Sequence, residues 1–493
     1  MVRKAHKQVV LFALLILFTG LSLTASQTET GYAQTASKPN VLFILTDDMK
    51  ASDLDHMPNT KSLLVNRGVK FTKAWVTRSL CCPSRASTLR GQYTHNHDVW
   101  VNVEPQGGFP RFRELGHEGS TIATWLDSSP DFVDGYQTVL IGKYLNRYGN
   151  GTPTTHVPPG WDEWYAWEGM YGGTDTSYKI NENGRIVTYQ RSQIHDTDLH
   201  ARTAENFIRR TAGDGTPFFM YLAPNAPHAP AYSAPRHANM FTDTALPRPS
   251  SFNEADVSDK PRWVRDKPRL SSTQISNMTD FYRKRLRALQ SVDEMVKRLV
   301  DTLSATGELS NTYIVFTSDN GIYLGEHRLE NKAAAYNAAP RIPLVIRGPG
   351  VPRGATRSQM ALNNDLAPTF ADLAGVSPPG FVDGRSLAPL LTASPPAAWR
   401  TTFLVEHRSS AEEYGYVKAI PEYYAVRTAR YSYVEYGTGE KELYDLNADP
   451  TELTNIYTNA SQTLRSDLQT RLNTLKQCGT ELTQPSCEEA EGR

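Results

Sequence analysis

The segment NVLFIL, residues 40–45, is apolar after its first residue and shows no polar alternation before it breaks into Thr46, Asp47 and Asp48. A strand with one wet face alternates, whereas a strand covered on both faces of a parallel sheet reads as a continuous apolar run. The same punctuation recurs. Thr138–Ile141 precedes Gly142 and Lys143, Phe218–Leu222 precedes Pro224–His228, and Tyr313–Phe316 precedes Ser318, Asp319 and Asn320. Between the last two runs, Tyr282, Leu286, Leu289, Val292, Val296, Leu299 and Leu303 mark one face of a long amphipathic helix. Strands alternating with helices predict an α/β fold, a mixed and mostly parallel sheet sandwiched by helices. In such sheets ligands gather beyond the carboxyl ends of the strands, which is where the polar residues of each run stand.

From about Gly380 the texture changes. A proline-rich stretch at Ser394–Ala398 leads into short aromatic runs, Thr402–Val405, Tyr423–Val426, Tyr431–Tyr436 and Glu442–Tyr444, separated by turn residues. These predict a small antiparallel sheet, closed by a helix over Ser461–Lys476. The expected division is a catalytic domain over 38–380 and a C-terminal subdomain over 381–493. At the other end, Arg3, Lys4 and Lys7 precede an apolar run from Val9 to Phe18 and then small residues. That is the pattern of a signal peptide over residues 1–25, with cleavage between 25 and 36. The run is shorter than the ~20 apolar residues of a spanning helix. A secreted protein is expected, periplasmic or extracellular (lysosomal in a eukaryote), free of the membrane once the signal is removed.

Lys plus Arg and Asp plus Glu both number 52, a balance that gives no general attraction for nucleic acid. Any affinity for anions must therefore be local. In an oxidising compartment Cys478 and Cys487 are expected to form a disulfide. The adjacent Cys81 and Cys82 are poorly placed to bond each other and need a different explanation. Asp47, Asp48, Asp319 and Asn320, at two strand ends, form an oxygen-rich set suited to Ca²⁺ or Mg²⁺ rather than zinc. Arg85, with its permanently charged fork of donors, lies four residues after Cys81 and shares its face if a helix starts there.

The stretch CCPSRASTLRGQYTHNH, residues 81–97, resembles the recognition sequence of type I sulfatases, with Cys81 at the modified position and Cys82 in the variable slot. The resemblance continues in the Asp-Asp pair after the first strand, in Ser318–Gly321, in Lys143 of GKYLNRYG, in His228 of APNAPHAP and in Lys332 of GEHRLENK. It implies an alkaline-phosphatase-like fold. It further implies conversion of Cys81 to formylglycine by a formylglycine-generating enzyme, and one calcium ion held by Asp47, Asp48, Asp319, Asn320 and the oxygen derived from Cys81. The hydrated aldehyde is a geminal diol: one hydroxyl attacks sulfur and the other drives sulfate out, which neither a serine nor a thiol can do. Arg85 would hold the hydrate, Lys143 and Lys332 would contact sulfate, and His228 would contact sulfate and assist proton transfer.

The nearest branches are the N-acetylglucosamine-6-sulfatases and arylsulfatases, implying 6-O-sulfated N-acetylglucosamine or an aryl sulfate as substrate. Where many sulfatases carry a histidine two residues after the first lysine, this chain has Leu145. That makes Asn146 and His95 candidates for the substrate pocket. The loops 102–116 and 161–194 are expected to set the substrate, with Trp161, Trp164 and Trp167 either stacking on it or packing in the core. A phosphatase or phosphonate monoester hydrolase of the same superfamily, or an inactive protein that binds sulfated glycans, are the competing functions.

Overall fold

Strand β1 (Asn40–Thr46) is buried along its whole length, and its side chains alternate between two separate cores. Val41, Phe43 and Leu45 face one side of the sheet, while Leu42 and Ile44 face the other. The absence of polar alternation thus has the predicted cause, a strand covered on both faces. The computed structural model describes residues 38–127, 135–169, 174–413, 415–479 and 485–492; the proposed signal peptide lies outside them. Among the described residues no helix is long and apolar enough to cross a membrane.

The main sheet comprises β1, β2 (Val69–Phe71), β3 (Gln137–Gly142), β4 (Glu163–Glu168), β5 (Ser177–Glu182), β6 (Arg185–Gln190), β7 (Phe218–Ala223), β8 (Thr312–Ser318), β9 (Leu344–Arg347) and β10 (Ala355–Arg357), in the order β10-β2-β9-β8-β1-β7-β3-β4-β5-β6. The central strands β8, β1, β7, β3 and β4 are parallel, and antiparallel pairings flank them. The sheet is therefore mixed and mostly parallel. One face is covered by α1 (Cys81–Arg90) and α4 (Leu366–Ala374), the other by α2 (Asp196–Thr211) and α3 (Ser272–Ala305).

Helix α3 begins ten residues before its periodic apolar face becomes visible, because its first turns are mostly exposed. Ser271 starts it, through a reciprocal capping box with Gln274. Residues 161–194, expected as a loop, instead form β4, β5 and β6. Asn183 and Gly184, both at positive φ, make the tight turn between β5 and β6, the asparagine-glycine signature of a hairpin. Trp161, Trp164 and Trp167 are buried at 8%, 0% and 5% exposure, so of the two roles open to them they take core packing.

The second sheet orders β11 (Thr402–His407), β12 (Tyr423–Thr428), β13 (Tyr431–Tyr436) and β14 (Lys441–Asp445) as an antiparallel meander. Helix α5 (Gln462–Lys476) packs on it, and their shared core includes Leu80, next to the start of α1, and Tyr93, just beyond its end. Cys478 and Cys487 are disulfide-bonded.

Candidate active site

The acidic residues meet because β1 and β8 are neighbours in register. Thr46 pairs with Ser318, so both chains leave the sheet side by side, and Asp319 N donates to Thr46 O at 3.0 Å. Asp48 adopts a left-handed φ of 65°, a conformation that costs energy in a non-glycine residue and persists where surrounding contacts impose it. Asp48 N donates to Asp319 Oδ1 at 3.1 Å and Met49 N to Ser318 Oγ at 2.9 Å. From the opposite helix layer, buried Arg285 of α3 donates to Asp48 O at 2.7 Å and to Asp53 at 2.8 Å. No motif marks that brace, which joins residues far apart in the chain.

Cys81 opens α1 directly over this edge. Pro83 fits the first turn, where a missing N–H costs nothing. Gly91 ends the helix at φ 69°, and a Cβ there would lie 2.8 Å from Val382. The Cys81 Sγ lies 3.4 Å from Asp47 Oδ1 and 2.7 Å from Lys332 Nζ. One carboxylate oxygen from each of Asp47, Asp48 and Asp319, together with Cys81 Sγ, fall within 4.8 Å of one another. Burial pushes the Cys81 thiol far above its ordinary range, and Asp47 adds to it. An unmodified thiol in this position is neutral at pH 7 and a poor nucleophile.

Cations surround the carboxylates. Arg85 Nε donates to Asp319 Oδ2 at 2.8 Å, Nη1 to Lys143 O at 2.8 Å, and Nη2 stands 3.9 Å from Asp47. Lys143 reaches Asp47, and Lys332 reaches Asp48. The position of Lys143 depends on Gly142, whose φ is 106° and whose absent Cβ would sit 2.1 Å from Ala223 O. This close approach lets Lys143 N donate to the same carbonyl at 2.8 Å. Lys332 leaves a hairpin in which His327, Arg328, Asn331 and Ala333 all have positive φ, a concentration of strained backbone at one functional side chain. His228 Nε2 lies 3.7 Å from Asp48. Its Nδ1 donates to Ala229 O at 2.6 Å, which leaves Nε2 as the acceptor of the neutral ring. Burial lowers its pKa, against the pull of Asp47 and Asp48. Lys143 and His228 keep 12% and 14% of their side chains exposed, so they stand at the opening.

The donor set fits a hard divalent cation. Burial, followed by repulsion from Asp47, raises the Asp319 carboxyl to about 6 despite Arg85. Burial works the same way on Asp47, but Lys143, His228, Arg85 and Lys332 together hold it well below the carboxylate range. Asn320 Oδ1 is buried with no hydrogen-bond partner, an orphan acceptor of the kind that a bound ion or water satisfies. Its amide nitrogen donates to Asp48 and to Gly321 O. Carboxylates with an amide oxygen are ligands for Ca²⁺ or Mg²⁺.

The structure brings Asp47, Asp48, Cys81, Arg85, Lys143, His228, Asp319, Asn320 and Lys332 together. It does not bring His95 to them. Both ring nitrogens of His95 are engaged, Nδ1 with Glu406 at 3.0 Å and Nε2 with Cys478 O at 3.0 Å, and the ring stacks on Tyr93. It ties the chain beyond α1 to the disulfide-bonded tail. Among the described residues no hydrogen bond joins the Asn146 side chain to this group; its backbone carbonyl accepts from Phe109 N at 2.7 Å, and its Oδ1 is buried without a partner. Sequence reasoning missed Glu413 and Tyr416. Glu413 accepts from Asn102 N at 2.6 Å, and Asn102 Oδ1 accepts from Cys82 N at 2.9 Å. Tyr416 feels the charges of Lys332, Cys81 and Asp48.

His95 carries a pH prediction. Burial lowers its pKa, but the charge of Glu406 and its hydrogen bond outweigh this and raise it to about 9. A raised folded-state pKa gives stability that is complete below the unfolded value of about 6.5 and is lost as pH rises through about 9. The melting temperature of the wild type should therefore fall between pH 7 and pH 9.5 by more than that of His95→Gln. Parallel curves would remove the ion pair from the stability of the tail.

A mixed, mostly parallel sheet sandwiched by helices, with a cluster of oxygen donors at the strand ends and cations ringing Cys81, defines an alkaline-phosphatase-like hydrolase of anionic esters. Residues 39–376 match the family described as Sulfatase, and residues 325–478 match the one described as N-sulphoglucosamine sulphohydrolase, C-terminal. The chain belongs to the sulfatase family and is a sulfatase enzyme, a hydrolase of sulfate esters. It is 33% identical to an N-acetylglucosamine-6-sulfatase of Homo sapiens over 91% of this chain and 86% of that relative. It is 31% identical to an arylsulfatase of Volvox carteri over 90% and 75%. A solved structure, described as a complex with its substrate D-glucosamine-2-N,6-O-disulfate, superposes with a TM-score of 0.74 at 26% identity, covering 88% of this chain and 97% of that one.

Proposed function

We propose that this enzyme removes 6-O-sulfate from N-acetylglucosamine units of a sulfated glycan, and hydrolyses small aryl sulfates as surrogates, using one calcium ion and a formylglycine made from Cys81. The observation that carries the reading is the convergence of Lys143, Lys332, Arg85 and His228 on one nucleophile position beside a cluster of oxygen donors. The substrate assignment draws on the named activities of the relatives and on the ligand of the superposed structure.

A sulfate ester repels nucleophiles, so the chain's first task is to neutralise it. Lys143 and Lys332 would bind sulfuryl oxygens, a role supported by their proximity to Asp47, Asp48 and Cys81. The N-terminus of α1 adds a favourable dipole for an anion. Asp47, Asp48, Asp319 and Asn320 would hold calcium, which would supply Lewis-acid polarisation, and a formylglycine hydrate at position 81 would supply both the attacking oxygen and a second hydroxyl for release of sulfate. Arg85, locked by Asp319 and the Lys143 carbonyl, fixes the residue at position 81. Neutral His228 can accept a proton at Nε2, and Lys143, near the opening, can donate one to the departing ester oxygen. Export through the N-terminal signal and modification by a formylglycine-generating enzyme complete the proposal.

Mass spectrometry of the peptide bearing Cys81 tests the modification: conversion leaves a mass about 18 Da below the thiol. Fully unmodified Cys81 in enzyme that turns over N-acetylglucosamine 6-sulfate would remove formylglycine from the mechanism.

A further inference from the structure

Lys332 has two neighbourhoods. Its ammonium group meets Asp48 and Cys81, while the residue also lines a cleft of about 300 Å³ whose walls include Trp263, Lys267, Gln274, Asn331 and Tyr416. Because Lys332 is both a wall of the cleft and a neighbour of Cys81 Sγ at 2.7 Å, the cleft adjoins the reacting centre. Its walls come from the segment before α3, from the strained hairpin of Lys332 and from the second-sheet region, elements brought together only by the fold.

The lining has a distinctive chemistry. Trp263 is half-buried, with Lys267 Nζ 5.9 Å from its ring centroid. Gln274 and Asn331 are exposed and present amide side chains. Glu330 is the acidic residue of the lining and is exposed. Arg328 is occupied by the carbonyls of Glu254, Lys267 and Ala255, which leaves Lys267 as the cation beside the aromatic ring. A sugar ring offers an apolar C–H face and a polar edge, and an aromatic platform flanked by amides complements both. An ammonium group beside that platform favours a ring carrying a negative substituent.

We propose that this cleft binds the sugar adjoining the sulfated unit, and that this neighbour is anionic: its ring packs on Trp263 and its carboxylate or sulfate pairs with Lys267. The volume lies at the small end of ligand sites, about 300 to 1,000 Å³, which suits one additional ring rather than a long chain. The inference rests on the glycan reading above and extends it from the sulfated unit to its neighbour.

The test compares kcat/KM for N-acetylglucosamine 6-sulfate, for disaccharides joining that unit to a uronate, a sulfated or a neutral sugar, and for p-nitrophenyl sulfate. Wild-type enzyme should prefer the anionic disaccharides over the monosaccharide by about tenfold, the scale of one aromatic contact with a charge pair. Trp263→Ala should reduce that preference to near unity, and Lys267→Gln should do so for the anionic neighbours but not for the neutral one. Rates on p-nitrophenyl sulfate should stay within about twofold, and the milder Lys267→Gln guards against misfolding of the tryptophan variant. The uronate and sulfated arms identify which anion is preferred. Equal kcat/KM for monosaccharide and anionic disaccharides, or an equal loss on every substrate, overturns the cleft assignment. Turnover of p-nitrophenyl sulfate with none of any sulfated sugar would instead overturn the glycan reading and the cleft with it.

Discussion

Cys81→Ser is expected to take up sulfate once and then stop. If the residue at position 81 attacks sulfur, serine retains an oxygen nucleophile in the same cradle of Arg85, Lys332 and Asp47. Its Oγ–S bond forms as the ester O–S bond breaks and the alcohol leaves, but serine has no second hydroxyl to expel the sulfate. The variant should gain about 80 Da at that residue on incubation with substrate, while steady-state turnover falls by roughly 10⁴- to 10⁶-fold, the scale set by removal of catalytic nucleophiles. Cys81→Ala should show the same loss without the mass gain. Sustained turnover by the serine variant would show that sulfate release needs no diol. The site is rigid enough for the comparison: α1 is buried along its whole length and tied at both ends, by Cys82 N to Asn102 and by Gly91 O to the backbone N–H groups of Asp383 and Gly384.

How much of this site was legible in the sequence depended on whether each residue belongs to a strand end. Asp47, Asp48, Asp319 and Asn320 could be read as a group because unbroken apolar runs announce buried parallel strands, and chains leaving such strands meet at one edge. Lys143 and His228 followed the same rule, with resemblance supplying their roles. Lys332 does not end a central strand; it stands on a strained hairpin, and without resemblance nothing distinguished it from a surface lysine. Arg285 and Glu413 were invisible because their importance lies in contacts across more than two hundred residues of chain. His95 misled for the opposite reason. Leu145, standing where many sulfatases carry a histidine, made it a pocket candidate, but the chain beyond Gly91 takes its ring to Glu406 and the disulfide-bonded tail. Asn183–Gly184 was a readable hairpin signal, overshadowed by the many aromatics around it.

Removal of calcium should abolish activity by more than about 10³-fold, and the reason lies in competition among charges already present. Without an ion, Lys143 is engaged by Asp47, Lys332 by Asp48 and Arg85 by Asp319. The groups needed to bind sulfate are thus spent on neutralising carboxylates. Asp319 is held near pKa 6 by burial and by Asp47 even with Arg85 beside it, which shows how crowded the anions are. A bound divalent cation would take over that neutralisation and free the lysines for substrate, so it would act on both binding and chemistry, with several kcal/mol at stake. Exhaustive treatment with EGTA should therefore raise KM as well as lower kcat, and calcium should restore both. Calcium at 100 times its Kd should also raise the melting temperature, reflecting about 2.7 kcal/mol of linkage. Asp48→Asn should weaken calcium binding and lose most of that thermal gain, a readout independent of turnover. Full activity after EGTA, with no divalent ion detected by elemental analysis, would mean that the carboxylates serve only to hold the lysines and Arg85 in place.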